Sequence, residues 1–175
     1  MTAVASEVQR TLRAIPDYPK PGILFQDITP VLRDGALLRA VIAEMCRPFG
    51  SDKVTHVLGI EARGFILGGA VATYLGAGFV PARKPGKLPW ERTTETYDLE
   101  YGSDALEAHR DAVGSADRVL VVDDVLATGG TARAAGQLVR GLGAELVGWS
   151  FLLEIGALGG RQRLTSAVCH VVASR

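Results

Sequence analysis

Val119 to Val122 form an unbroken apolar run that ends on two adjacent carboxylates, Asp123 and Asp124. An apolar run without alternation is what a parallel strand buried on both faces requires. The chain then passes through Val-Leu-Ala-Thr-Gly-Gly-Thr into an Ala-rich helical pattern over 130–142. The same order recurs elsewhere. Residues 54–60 read as a strand, 64–75 as an apolar helix, 78–83 as a strand, and 145–153 and 167–173 as the last two strands. Strands alternating with helices predict an α/β fold with a mostly parallel central sheet flanked by helices. Further helices are expected over 3–13 and 35–48. The Pro-punctuated stretch from Pro16 is expected to bury Ile23, Leu24 and Phe25. Residues 84–96, polar and carrying two prolines, are expected to form a long exposed loop, with 96–102 returning from it as a strand.

The 175 residues suit one domain, 1–175, with a core of its own. Lys plus Arg and Asp plus Glu both number 19. No bulk field draws such a chain to nucleic acid or to an anionic membrane, so an anionic ligand needs a local site. No stretch approaches the roughly 20 apolar residues of a membrane span, and the N-terminus lacks the apolar core of a signal peptide. The two cysteines, Cys46 and Cys169, read as buried thiols of a cytoplasmic protein. No Cys or His spacing suggests a metal held directly by the chain. His56, His109 and His170 are scattered and are assigned no chemistry.

In a parallel α/β sheet, ligands sit beyond the carboxyl ends of the strands. Gly129 and Gly130 can both take positive φ there, which turns successive backbone N–H groups into one concavity at a helix N-terminus. Thr128 and Thr131 add hydroxyl donors. This suits a monophosphate. The Gly-Lys-Ser/Thr ending of a nucleotide-triphosphate loop and the G-x-G-x-x-G dinucleotide fingerprint are both missing. Two acids beside a phosphate cradle make sense if they accept the vicinal hydroxyls of a ribose 5-phosphate. They would also stabilise positive charge on the sugar as a bond at its anomeric carbon breaks.

The stretch "VLVVDDVLATGGTA" resembles the phosphoribosyl pyrophosphate motif of the type I phosphoribosyltransferases. "IPDYPKPGILFQDITPVL", "GIEARGFILGGAVA", "RKPGKLP" and "YDLEYG" follow the order of the adenine phosphoribosyltransferase family. The resemblance runs from about residue 7 to the last strand. It implies a type I phosphoribosyltransferase fold, with 1–34 as an N-terminal hood that recognises the base and 84–96 as a flexible catalytic loop. It implies adenine and phosphoribosyl pyrophosphate as substrates, AMP and pyrophosphate as products, Mg²⁺ held mainly through the donor and water, and a homodimer.

Residue by residue, the resemblance assigns Asp123 and Asp124 to the ribose, and Ala127, Thr128, Gly129, Gly130 and Thr131 to the 5′-phosphate. Pyrophosphate falls to backbone groups near Glu61 and Ala62, to Arg63, and to Arg83, Lys84 and Lys87, some of which are expected to cross a dimer interface. The turn at Glu61–Ala62 is expected to be strained; many relatives carry Asp-Ser there. Glu100 meets N7 of the base and moves a proton, and Tyr101 packs over the site. Main-chain groups of Leu24 and Gln26 read the adenine edge, Phe25 stacks on its face, and Val125 adds to the pocket. Two other readings use the same residues: transfer to another purine such as xanthine or guanine, and a regulator that binds the donor without turnover.

Overall fold

The computed structural model describes residues 2–50, 53–98, 103–164 and 167–175. Among the described residues, five α-helices and nine strands follow one another as α1 Ala3–Thr11, β1 Arg13–Ile15, β2 Phe25–Asp27, α2 Thr29–Arg33, α3 Gly35–Cys46, β3 His56–Ile60, α4 Arg63–Leu75, β4 Gly78–Ala82, β5 Arg92–Asp98, β6 Ser103–His109, β7 Arg118–Leu126, α5 Gly130–Gly141, β8 Glu145–Glu154 and β9 Val168–Ser174. The central sheet has the order β4-β3-β7-β8-β9 and is parallel throughout.

Strand β7 lies in the middle of that sheet, and Val119, Leu120, Val121 and Val122 are all fully buried. Their alternation divides the core in two. Leu120 and Val122 join the layer built by α1, α3 and α4. Val119 and Val121 join the layer built by α5 and the β5–β6 hairpin. The helix starts are set locally. The Thr2 hydroxyl accepts from Ala5 N at 3.1 Å, and Asp34 Oδ1 accepts from Ala36 N and Leu37 N at 2.9 and 3.0 Å.

Several expectations need correction. The polar stretch 84–96 is a loop only in its first half. Arg92–Asp98 forms β5, paired antiparallel with β6, and Tyr97 is buried. The polar residues of this hairpin satisfy one another instead of solvent: buried Glu107 accepts from Arg92 Nε at 3.0 Å and Thr94 Oγ1 at 3.3 Å. The first helix stops at Thr11, and a small two-stranded sheet, β1 with β2, follows it. Ile23 and Leu24 are 44% and 57% exposed, because they rim an open cavity and do not anchor a core. Cys46 is buried, but Cys169 is only half-buried.

Topology places the site. The chain leaves β3 through α4 towards β4 on one side, and leaves β7 through α5 towards β8 on the other. The crossovers diverge between β3 and β7, and a crevice opens at that point beyond the strand ends.

Candidate active site

One cavity of about 440 Å³ fills this crevice. Its walls come from four places: Ile23–Gln26 of the N-terminal segment, Ile60–Arg63 at the end of β3, Asp123–Val125 of β7 together with Ala127 and Thr131 beyond it, and Ile155 and Leu158 after β8. Lys84 also faces it. A smaller hollow of about 80 Å³ adjoins it, formed by Asp123 and residues 125–132.

Strand β7 runs to Leu126, so Asp123 and Asp124 belong to the strand and alternate across it. Asp124 is buried. Arg63, the first residue of α4, brings its Nε to 2.7 Å from Asp124 Oδ2. Among the described residues, that buried oxygen receives no aligned hydrogen bond. Its near neighbour is the Arg63 guanidinium, at ion-pair distance. Asp123 Oδ1 accepts from Asp124 N at 2.8 Å. Close surrounding protein and the neighbouring Asp124 charge push the Asp123 carboxyl well above the usual carboxylate range. The helix can approach this closely because residue 64 is glycine. A Cβ there would lie 2.8 Å from Asp123 Oδ1 and 2.9 Å from Val122 O.

The smaller hollow lies at the start of α5. Gly129 has φ +80° and precedes α5, whose N-terminus faces the hollow. The expectation of positive φ at Gly130 is not met, because Gly130 is already the first residue of α5. Thr128 and Thr131 both line the hollow.

At the end of β3 the Glu61–Ala62 peptide is cis. Glu61 N donates to Ala82 O at 2.9 Å, which continues the ladder and removes that N–H as a pyrophosphate donor. The Glu61 carboxylate accepts from Lys84 N at 2.9 Å and from the Arg83 guanidinium at 3.3 Å through both Nε and Nη2. Those contacts, the Lys84 N–H first, hold its pKa below the usual value. Arg83 is therefore tied to its own chain, and its Nη1 donates to Lys87 O at 3.0 Å. The Lys84 ammonium rests on Asp104 and donates to Tyr97 Oη at 3.0 Å. Lys87 is exposed and does not line the cavity.

At the N-terminal wall of the cavity, the Phe25 ring meets Tyr18 edge-on at 5.2 Å between centroids, and Arg63 lies 5.4 Å from its centre. Gln26 is buried, and among the described residues its Oε1 has no hydrogen-bond partner. Leu24, Phe25, Gln26 and Val125 share the cavity. Glu100 and Tyr101 lie outside the described residues. Ile155 and Leu158 were missed in the sequence, since two aliphatic residues in a Gly-rich turn carry no chemical signal.

Residues 32–164 match the phosphoribosyl transferase domain. A protein named adenine phosphoribosyltransferase from Myxococcus xanthus is 57% identical over 163 residues, covering 93% of this chain and 89% of the relative. The chain belongs to the adenine phosphoribosyltransferase family. The adenine phosphoribosyltransferase of Rhodothermus marinus superposes with a TM-score of 0.94 at 50% identity, over 98% of both chains. The adenine phosphoribosyltransferase of Saccharomyces cerevisiae, solved with adenine and an imino-altritol bisphosphate, gives 0.89 at 39% identity, over 98% of this chain and 99% of that one. The five-stranded parallel sheet flanked by helices is the fold of this family.

Proposed function

We propose that the protein transfers the 5-phosphoribosyl group from phosphoribosyl pyrophosphate to adenine, giving AMP and pyrophosphate. The observation that carries this reading is a cavity that shares Asp123, Val125, Ala127 and Thr131 with a smaller adjoining hollow. It runs from an aromatic, backbone-rich base end at Ile23–Gln26, past the paired acids Asp123 and Asp124, to the 127–131 phosphate hollow. The order base, ribose, phosphate is the order of groups in AMP.

In this reading the 5′-phosphate takes the Ala127–Thr131 backbone and the two threonine hydroxyls. Asp124, which lines the cavity, accepts from a ribose hydroxyl through its carboxylate. Asp123 and Asp124 also face the positive charge that grows on the ring as the bond from C1′ to the pyrophosphate oxygen breaks and the bond to N9 of adenine forms. Phe25 stacks on the base, main-chain groups of Leu24 and Gln26 read its edge, and Val125 and Leu158 close the apolar sides. Ala62 and Arg63 receive the pyrophosphate, with Lys84 at the cavity wall. Glu100 takes the proton from the base. Tyr101 and the segment from Lys84 close over the reacting centre and exclude water. Residues 1–34 act as the base-recognition hood.

The donor's pyrophosphate calls for Mg²⁺. The hard oxygen donors that fit its water shell are Asp123 and Asp124, and when bound the ion neutralises the leaving group. A homodimer is supported by the outer face of α4 and β4. Ile66, Tyr74 and Phe79 are 51%, 60% and 39% exposed there. A cytoplasmic setting is supported by the free thiols of Cys46 and Cys169. Among the described residues, no helix is long and apolar enough to cross a membrane.

The test is product formation from phosphoribosyl pyrophosphate with adenine, guanine, hypoxanthine and xanthine, with and without Mg²⁺. AMP from adenine, far faster than product from the 6-oxopurines, is expected. Equal rates across the panel would overturn the assignment of the base.

A further inference from the structure

The turn after β8 touches the phosphate loop more closely than side chains allow. It comprises two short 3₁₀ stretches, Gly156–Leu158 and Gly160–Arg163. A Cβ on Gly160 would lie 2.2 Å from Ala127 O and 3.0 Å from Gly129 N. A Cβ on Gly129 would lie 2.5 Å from Gly160 O. Carbon contacts in proteins settle at about 3.5–4.0 Å, so the two backbones meet only because both residues are glycine. Gly160 does not have the positive φ of Gly129, so closeness alone requires glycine there.

The next residue pins the turn. Arg161 Nη2 donates to Glu154 Oε2 at 2.8 Å, its Nε reaches both oxygens at 3.2 and 3.3 Å, and its Nη1 donates to Cys169 O at 2.7 Å. Glu154 is buried, and Arg161 is held between the end of β8 and the start of β9. A planar guanidinium fixed at all three nitrogens by two partners holds its own backbone in place, and with it the peptide of Gly160. We propose that Gly160 is a positioning residue for donor binding: its bare backbone is the wall that sets the 127–131 loop, and the Arg161–Glu154 ion pair fixes that wall. The proposal rests on the reading of this loop as the 5′-phosphate site.

The same turn lends Ile155 and Leu158 to the base end of the cavity. A disturbance at Gly160 is nevertheless directed at the phosphate end, where its contacts are. Gly160→Ala forces Ala127 and Gly129 back by about the ångström that can cost up to roughly 100-fold in a positioned site. Four full-length variants test this: Gly160→Ala, Arg161→Ala, Gln162→Ala as a control on the exposed side of the turn, and Thr131→Val in the loop itself. The probe is ribose 5-phosphate by calorimetry, read alongside KM for phosphoribosyl pyrophosphate, KM for adenine, kcat and Tm.

In Gly160→Ala the ribose 5-phosphate Kd and donor KM should rise together by about 10- to 100-fold. Adenine KM and kcat at saturating donor should change little. Arg161→Ala should move the same constants in the same direction, and Gln162→Ala should move neither. Normal ribose 5-phosphate binding in folded Gly160→Ala, with binding lost in Thr131→Val, overturns the role of Gly160 alone. Normal binding in Thr131→Val overturns the reading of the loop. If Gly160→Ala does not fold, Arg161→Ala decides, and unchanged donor KM there overturns the proposal.

Discussion

Arg63 and Asp124 face each other across the point where the sheet's crossovers diverge, with Nε and Oδ2 at 2.7 Å. The pair joins the first residue of α4 to the buried part of β7, so two walls of the cavity are set against one another.

Asp124→Asn removes the charge but keeps the shape. A hydrogen bond to a charged group is worth about 1.5–3 kcal/mol, so kcat/KM for the donor should fall roughly 10- to 100-fold. Steady-state kinetics with varied phosphoribosyl pyrophosphate check this. Unchanged donor kinetics in a folded variant would remove Asp124 from the ribose site.

Asp123→Asn should separate stability from function. The Asp123 carboxyl binds its proton more tightly in the folded protein than in the unfolded chain, where the ordinary value is 3.8. The unfolded state therefore holds fewer protons between about pH 4 and the raised value, and this residue's contribution to stability falls as pH rises through that window. The Asn variant keeps an acceptor for Asp124 N–H and loses the charge. Its Tm at neutral pH should exceed that of the parent, the two should converge towards pH 4, and donor use should fall. A lower Tm for the variant at pH 7 would show that the ionised carboxylate stabilises the free protein.

Glu107 organises the foot of the loop that carries the cations. Its carboxylate accepts from Gly86 N at 3.0 Å, Arg92 Nε at 3.0 Å and Thr94 Oγ1 at 3.3 Å, and its backbone exchanges two hydrogen bonds with Arg83. Glu107→Gln should lower stability by about 1.5–3 kcal/mol and weaken pyrophosphate binding more than ribose 5-phosphate binding. Denaturant unfolding and two calorimetric titrations measure both. Equal weakening of the two ligands would mean that Glu107 acts on the fold at large.

Glu100→Leu should lower single-turnover AMP formation by about 10²- to 10⁴-fold with donor affinity retained, if this side chain moves the base proton. Full-rate chemistry in the variant would leave positioning and charge stabilisation as the sources of catalysis.

The central strand was legible because four apolar residues in a row leave few other structures open. Its end was not. Asp123 and Asp124 read as a strand exit, yet they continue β7, because a crevice at the sheet's carboxyl edge receives them. Of the β5–β6 hairpin only residues 96–98 fell within an expected strand, because its Thr, Glu and Arg residues read as solvated loop, while in the fold Glu107 accepts from Arg92 and Thr94. Gly129 announced itself through a local turn. Gly160 did not, since its contact with Gly129 joins distant parts of the chain and leaves no mark in the sequence near it. The cavity wall was half legible: Phe25 stood out, and Leu158 needed the fold to bring it across.

The most direct measurement is steady-state AMP formation from adenine and phosphoribosyl pyrophosphate with Mg²⁺, followed together with pyrophosphate release. One pyrophosphate per AMP is expected, with turnover lost in Asp124→Asn at low donor concentration and little or no product from guanine or xanthine. Tight binding of the donor with no AMP and no pyrophosphate released would contradict it, and would make the chain a binding protein built on an enzyme's fold.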